Sequence, residues 1–477
     1  MQDVVIIGSG FSGLGAAIKL QKNGYTYSIL EKSNELGGVW RENIYPGCAC
    51  DIPAIFYSYS FSPNSDWSRF FAKQDEIKEY AYKTAKKFNL IKKIKFNHEL
   101  LRANWDEEKK CWELITNQGT YFSKFVIFGT GPMHEVVTPN ILGRDTFKGE
   151  YFHSAEWDES IDLTNKKVAV IGTGASAIQF VPEIYSTVKE LAVFQRTAPW
   201  VIPKVDFKIK TVWQKLFKYF PIIQKVIRLL LSYYFNKLNN NLNDLKSRQK
   251  LQAIAIKNIK RGVKDINLQQ KLIPNYDIGC KRILQSNKWY RTLSQKNVTV
   301  CDGVDKIENN KIIAKDGTEF LADVVIYATG FKVANPPVAK LIYGTTGKSL
   351  NDEWNGSPKA YLGTMLPTCP NAFLMLGPNL YAFTSAFTMI ELQLKYIIKA
   401  INYMKTTKNI KSIVVKNDVT SDYNNNIQDV LAKTVWRSNG CSSYFIDKNG
   451  NNSTNWPHSI KYMRNELSNF RIEDYKI

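Results

Sequence analysis

The sequence predicts an α/β fold of two doubly wound parallel sheets, the first interrupted by the second. Three observations predict it. Glycine-rich turns at Gly8 and Gly172 each follow a short apolar strand and open a helical pattern; a second apolar strand comes after each helix; and the strands starting at Phe125 and Val324 both run into a Thr-Gly turn. Such alternation of strand and helix periods is the pattern of βαβ units. At 477 residues the chain has room for two or three domains, each burying its own core.

The first unit begins with Val4–Ile7, which stops at Gly8 and gives way to a helical pattern through Leu14, Ala17, Ile18 and Leu20. Gly8 permits the tight turn, Gly10 lets a pyrophosphate approach the backbone, and Gly13 lets helix and strand pack closely. The helix N-terminus then offers free N–H groups and partial positive charge to phosphates. The strand Tyr27–Leu30 ends in Glu31, an acid placed to accept hydrogen bonds from both ribose hydroxyls of an adenosine.

The pattern returns at Lys167–Ala177, with Gly172, Gly174 and Ser176 in the turn and a helix from Ala175 to about Tyr185. Its second strand, Leu191–Gln195, ends in Arg196 where the first unit has an acid. A carboxylate would repel a 2′-phosphate and a guanidinium can grip it, so the second site favours NADPH over NADH. Sites of opposite preference imply FAD at the first and NADPH at the second.

The Thr-Gly strands mark junctions near 132–146 and 331–340. The expected division is therefore 1–140 for the first part of an FAD-binding domain and 141–335 for an NADPH-binding domain. The latter carries a helical insertion at about 207–270, and 336–477 completes the FAD domain and forms the C-terminal region.

Composition narrows the class. Hydrophobic residues at 44%, with 27 Gly and 17 Pro, exclude a disordered or fibrous chain. Seven scattered Cys argue against a disulfide framework or a structural zinc and for a reducing compartment. The net charge of +21 favours anionic partners, but no arginine-rich tail or basic block with interleaved aromatics makes this a nucleic-acid protein. The run Val4–Ile7 is too short for a signal or a span, and a cytoplasmic protein is expected. The most lipophilic stretch, Trp213–Leu238, is interrupted by Pro221, Lys225 and Arg228. It reads either as a helical roof over a substrate cavity or as a basic amphipathic surface resting on anionic lipid.

Two longer motifs resemble those of the Baeyer–Villiger monooxygenases, a group of class B flavoprotein monooxygenases. Phe147, Gly149, His153 and Trp157, followed by Asp158, are similar to that family's fingerprint, and Gly37–Asp51, with Gly38, Trp40 and Asp51, to its second motif. Trp157 separates it from heteroatom-oxidising relatives, which usually carry Tyr or Phe there. Gly279-Cys280-Lys281-Arg282 matches the run that holds the family's arginine. The resemblance implies Arg282 over the flavin, Asp51 paired with it, and Lys281 helping Arg196 hold the 2′-phosphate. It implies hydride transfer from NADPH to FAD, reaction with O2 to a flavin peroxide, and attack on a ketone to give an ester or lactone.

The residue types suit that chemistry. An anionic oxidant needs a permanent cation beside it, and Arg stays protonated where a buried Lys does not. The same guanidinium can stabilise an oxyanion, and a carboxylate such as Asp51 orients it and offsets its desolvation. His153 and Trp157, four apart, read as a one-turn staple in a linker, with His153 a hinge rather than a general base. Cys48 and Cys50 form only C-x-C, and no metal-ligand cluster is evident. Gly377-Pro378-Asn379 precedes an apolar helix around Met389–Ile398, and Gly377 and Asn379 are expected at the flavin. The aromatic C-terminal run around Trp436, Tyr444 and Trp456 reads as core or as a lid over the nicotinamide. Two alternatives stay open. One is a flavin-containing monooxygenase acting on sulfur or nitrogen; the other is a basic membrane- or nucleic-acid-binding protein that holds nucleotides without turnover.

Overall fold

The computed structural model describes residues 1–382, 384–437, 441 and 443–477. The strand Gln2–Ile7 lies at the centre of the larger sheet, between Tyr27–Leu30 and Gly119–Phe128, both parallel to it. Val4, Val5 and Ile6 are buried on both faces, as expected for an internal strand of a parallel sheet. Cys111–Thr116 and Leu100–Asp106 extend the sheet antiparallel to Gly119–Phe128. Ile94–Lys95 closes the other edge.

The chain then leaves this sheet and builds a second, five-stranded and parallel throughout. Its order is Val298–Asp302, Glu190–Gln195, Lys167–Ile171, Val324–Tyr327, Glu150–His153. Afterwards Ile342–Tyr343 and Ala372–Leu374 return to the first sheet, pairing with Leu100–Asp106 and Gly119–Phe128. The expected α/β architecture, one doubly wound unit inserted in another, is the one observed.

Each glycine turn opens a helix, Phe11–Lys22 in the first unit and Ala177–Ile184 in the second. Gly172 has φ +112°, and a Cβ there would stand 2.4 Å from the Ala328 carbonyl oxygen. Only glycine reconciles that backbone with so close an approach. The long helix Ala386–Thr406 packs on Phe11–Lys22, and Phe387 sits 4.7 Å from the rings of Phe11 and Tyr59.

The insertion is helical, as the sequence predicts. Thr211–Tyr219, Pro221–Asn241, Leu245–Gly262 and Ile266–Leu272 lie between two strands of the second sheet. Pro221 breaks the lipophilic stretch and starts the second of these helices, a first-turn place where its missing N–H costs nothing. Among the described residues no helix is long and apolar enough to cross a membrane.

One finding departs from the sequence reading. The scattered cysteines give no sign of pairing, yet Cys280 and Cys441, 161 residues apart, form a disulfide. Cysteine spacing cannot disclose a partner that only the tertiary fold brings near. Cys48, Cys50, Cys111, Cys301 and Cys369 are free and buried.

Candidate active site between two glycine turns

A single cavity of about 1490 Å³ reaches both glycine turns. That is more room than one small ligand needs. Gly8, Gly10, Glu31, Gly38 and Trp40 line one end, and Gly174, Ser176, Arg196 and Lys281 the other. Asp51 and Arg282 stand on the wall they share.

At the first end Gly38, with φ +56°, brings its backbone against Gly10, so neither residue has a side chain to fill the cradle. The Glu31 carboxylate is buried and already ordered. Ser9 donates to Oε2 from its backbone N (2.8 Å) and its hydroxyl (2.7 Å), Ser33 N donates to Oε1 at 3.0 Å, and Arg41 Nη1 at 3.2 Å. Arg41 was not singled out by the sequence, although it directly follows Trp40 in the Gly37–Asp51 motif. Trp40 Nε1 donates to the Tyr57 hydroxyl at 3.0 Å, which fixes its ring at the cavity.

At the second end Arg196 and Lys281 form a pair of cations without an acid. Burial lowers the Lys281 pKa first, and the Arg196 charge lowers it further. Among the described residues neither forms an ion pair. Two unneutralised cations this close are unfavourable alone and suit an added dianion such as a 2′-phosphate.

The shared wall carries the strongest electrostatic feature. Arg282 Nε donates to Asp51 Oδ2 at 2.9 Å, and Nη2 donates to the same oxygen. Burial works against the Asp51 charge, but the Arg282 guanidinium, and Lys204 more distantly, hold its carboxyl below the ordinary range. Burial likewise opposes the Arg282 charge, while Asp51 more than offsets it, so the guanidinium stays protonated. Lys204 Nζ also donates to the Cys50 carbonyl at 3.3 Å, and the Tyr381 ring lies 5.9 Å from the guanidinium carbon. Burial pushes the Cys48 thiol up to about 11, so it offers no thiolate.

Gln179, on the first turn of the second unit's helix, ties the two ends together. It accepts from the Tyr45 hydroxyl (3.0 Å) and Ala49 N (3.3 Å) and donates to Ala49 O (3.0 Å). Nothing in the local sequence around Gln179 marks it. Ser176 lies 3.0 Å from the Ser154 hydroxyl.

The fingerprint residues divide. Phe147 is buried in the second sheet's core, and a Cβ on Gly149 would stand 2.3 Å from Asp323 O, so both serve packing. Asp158 is exposed and accepts from Ser160 N at 2.9 Å. The expected one-turn helical staple is corrected. His153 ends a strand, a short 3₁₀ turn follows, and Trp157 packs on Phe152 (5.1 Å) and Phe180 (5.2 Å).

His153 itself lines the cavity. Its Nδ1 accepts from Ala155 N at 3.1 Å, which places the ring proton on Nε2, and that buried atom has no partner among the described residues. Burial lowers its pKa to about 4. Between pH 4 and 6.5 the unfolded chain therefore binds a proton that the folded one refuses, and stability falls as pH drops through that window. The expected loss is at most about 3–4 kcal/mol. Denaturant unfolding across this range should show it, and His153→Gln should flatten it; an unchanged slope would exclude the histidine as its source.

Asn379 is also corrected. It is fully buried with φ +55°, and its amide donates to the carbonyls of Asn452 (2.7 Å) and Asn455 (3.0 Å), holding the C-terminal loop instead of lining the cavity. Gly377 does line it.

The lining fits two dinucleotides: a side-chain-free cradle beside an ordered acid, two unpaired cations, and an orphaned histidine N–H. Fold and site thus define a flavoprotein monooxygenase that uses FAD and NADPH. Residues 1–351 match the flavin-binding monooxygenase-like family. The chain is 38% identical to a Baeyer–Villiger monooxygenase of Streptomyces coelicolor over 99% of its length and 92% of that relative. It is 40% identical to another from Pseudomonas aeruginosa, over 95% and 87%. Among solved structures it is similar to OTEMO in complex with FAD and NADP (TM-score 0.89, 25% identity, covering 100% and 99%) and to oxidized steroid monooxygenase bound to NADP (0.87, 26%, 98% and 97%). The chain belongs to the flavin-binding monooxygenase-like family and, within it, to the Baeyer–Villiger monooxygenases.

Proposed function

We propose that the protein inserts one atom of O2 into an apolar ketone, giving an ester or lactone plus water as NADPH is oxidised. The observation that carries this reading is the Asp51–Arg282 pair on the wall between the two glycine turns. When bound, FAD and NADPH supply hydride transfer and oxygen activation.

The chain's own residues place charge and exclude water. In this reading Gly10, Gly38 and Glu31 hold the FAD end, with Gly13 packing the helix that carries it; Gly174, Ser176, Arg196 and Lys281 hold the NADPH end. Arg282 keeps its charge at every working pH and can hold the negative charge that develops on the ketone oxygen. Asp51 aims the guanidinium at that position, and the neutral His153 donates from Nε2 to a bound cofactor. The division into 1–140, 141–335 and 336–477 is proposed with it, and so, independently of the reaction, is a peripheral membrane contact through the basic amphipathic insertion. A cytoplasmic setting is proposed too; the five free thiols agree with it, and the Cys280–Cys441 disulfide speaks against it. Mass analysis under non-reducing conditions, on protein taken directly from cells, reads whether Cys280–Cys441 forms there.

The test is product analysis under isotope-labelled oxygen with mixed ketones and sulfides. A singly labelled ester or lactone supports the proposal, whereas sulfoxide without ester moves the protein to heteroatom oxidation. Arg196→Ala should raise KM for NADPH about 10–100-fold, the worth of one charge-assisted bidentate contact, and leave NADH use almost unchanged. Equal losses with both cofactors would remove Arg196 from the 2′-phosphate.

A further inference from the structure

The helix Pro221–Asn241 has two working faces. Gln224, Arg228 and Phe235 point inward. Gln224 donates to Asn64 O at 2.6 Å, Arg228 donates to the carbonyls of Ile55, Phe56 and Ser58, and Phe235 stacks on Phe56 at 5.6 Å. From the same side Leu231, Tyr234 and Leu238 line the cavity.

Among the described residues nothing covers the opposite face. Ile222, Val226, Leu229, Leu230 and Tyr233 recur at three- and four-residue spacings on one side of the helix, with Leu229 70% and Leu230 64% exposed. Trp213 and Tyr219 of the preceding helix, and Phe220 at the turn between the two, are exposed as well. An apolar surface of this extent marks an interaction site.

Charge identifies the occupant. From Phe207 to Asn243 the chain contains no Asp or Glu, while Lys208, Lys210, Lys215, Lys218, Lys225 and Lys237 stand exposed around the patch. A second copy docking by the same face would bring these cations together. An anionic bilayer neutralises them while its acyl boundary takes up the apolar stripe. The two faces meet at the cavity rim, where Val205 and Tyr234 line the cavity and are yet 71% and 59% exposed.

We infer that Ile222–Tyr233 seats this protein on an anionic lipid surface, and that membrane-partitioned ketones enter the cavity beside Val205 and Tyr234. What enters rests on the ketone-oxygenation reading; the docking does not.

The test uses the FAD-loaded enzyme with phosphatidylcholine vesicles, with and without phosphatidylglycerol. Binding is expected only with phosphatidylglycerol, weakening as salt rises. It should fall about ten-fold or more in Leu229→Ser/Leu230→Ser and in Lys225→Gln/Lys237→Gln. FAD content and turnover of a short, water-soluble ketone should not change, while turnover of a long-chain ketone held in the vesicles falls about ten-fold. Three results would overturn the inference: no binding at low salt, undiminished binding by both variants, or a solution dimer that Leu229→Ser/Leu230→Ser dissociates. Equal turnover of vesicle-held ketone by both variants and the parent would overturn the entry route alone. Vesicle binding as expected, with no ester from any ketone, would leave the docking standing and defeat the oxygenation reading.

Discussion

Arg282→Ala should lower ester formation by about 10²–10³-fold, the cost of removing one donor from a developing oxyanion, while NADPH still bleaches the flavin. On the roles proposed above the two half-reactions separate, because only oxygen insertion would call on the Arg282 guanidinium that Asp51 holds at 2.9 Å. Stability must be read beside activity, since the substitution strands a carboxylate. Losing one partner of a fully buried pair costs about 3–5 kcal/mol. Here the penalty should be smaller, because the side chains of Arg282 and Asp51 are 26% and 24% exposed to the cavity. Asp51→Asn in the Arg282→Ala background should therefore restore melting temperature without restoring ester. If the double variant regained activity, the arginine would be structural. Arg282→Lys should recover only part of the rate, since an ammonium lacks the fork that reaches both Asp51 and a reacting oxygen and loses charge more readily when desolvated.

The second large effect distinguishes two glycines of one turn. A Cβ on Gly13 would lie 1.9 Å from the Gly8 carbonyl oxygen, a backbone atom with nowhere to move, because Gly8 itself abuts Gly129 O. Gly13→Ala should push the helix Phe11–Lys22 off the central strand, lowering both stability and FAD content. The stability cost should be at or above the about 1–3 kcal/mol of ordinary overpacking. Around Gly10 the nearest atom to an added Cβ is Gly38 Cα at 3.6 Å, an ordinary contact. Gly10→Ala should keep its fold and melting temperature but bind FAD about 10²-fold more weakly, because the methyl occupies the space a pyrophosphate needs. Circular dichroism and flavin absorbance on the two variants separate the cases; equal unfolding by both would mean the turn serves packing only.

What was legible in the sequence was local. Strand, turn and helix around Gly8 and Gly172 follow from apolar runs that break at glycine, and Glu31 against Arg196 is a choice of charge at the end of one strand. The break at Pro221 and the basic residues interrupting the lipophilic stretch are read the same way, from composition and spacing alone. Motif resemblance added Arg282 and Asp51, which spacing would not have chosen.

The tertiary structure decided whatever depends on distance in space. Asp51 meets Arg282 across 231 residues, a pairing that only the resemblance had implied, and Cys280 meets Cys441 across 161, which nothing in the sequence signalled. Gln179 clasps Ala49 from the other unit, and Asn379 turns away from the cavity to hold the C-terminal loop. His153 and Trp157, helically spaced in sequence, fall at a strand end and just past a 3₁₀ turn because pairing with Val324–Tyr327 outweighs local propensity. Local patterns record backbone preference and burial, which act between near neighbours. Which charges meet is settled only when the two sheets, each complete in itself, close on one cavity.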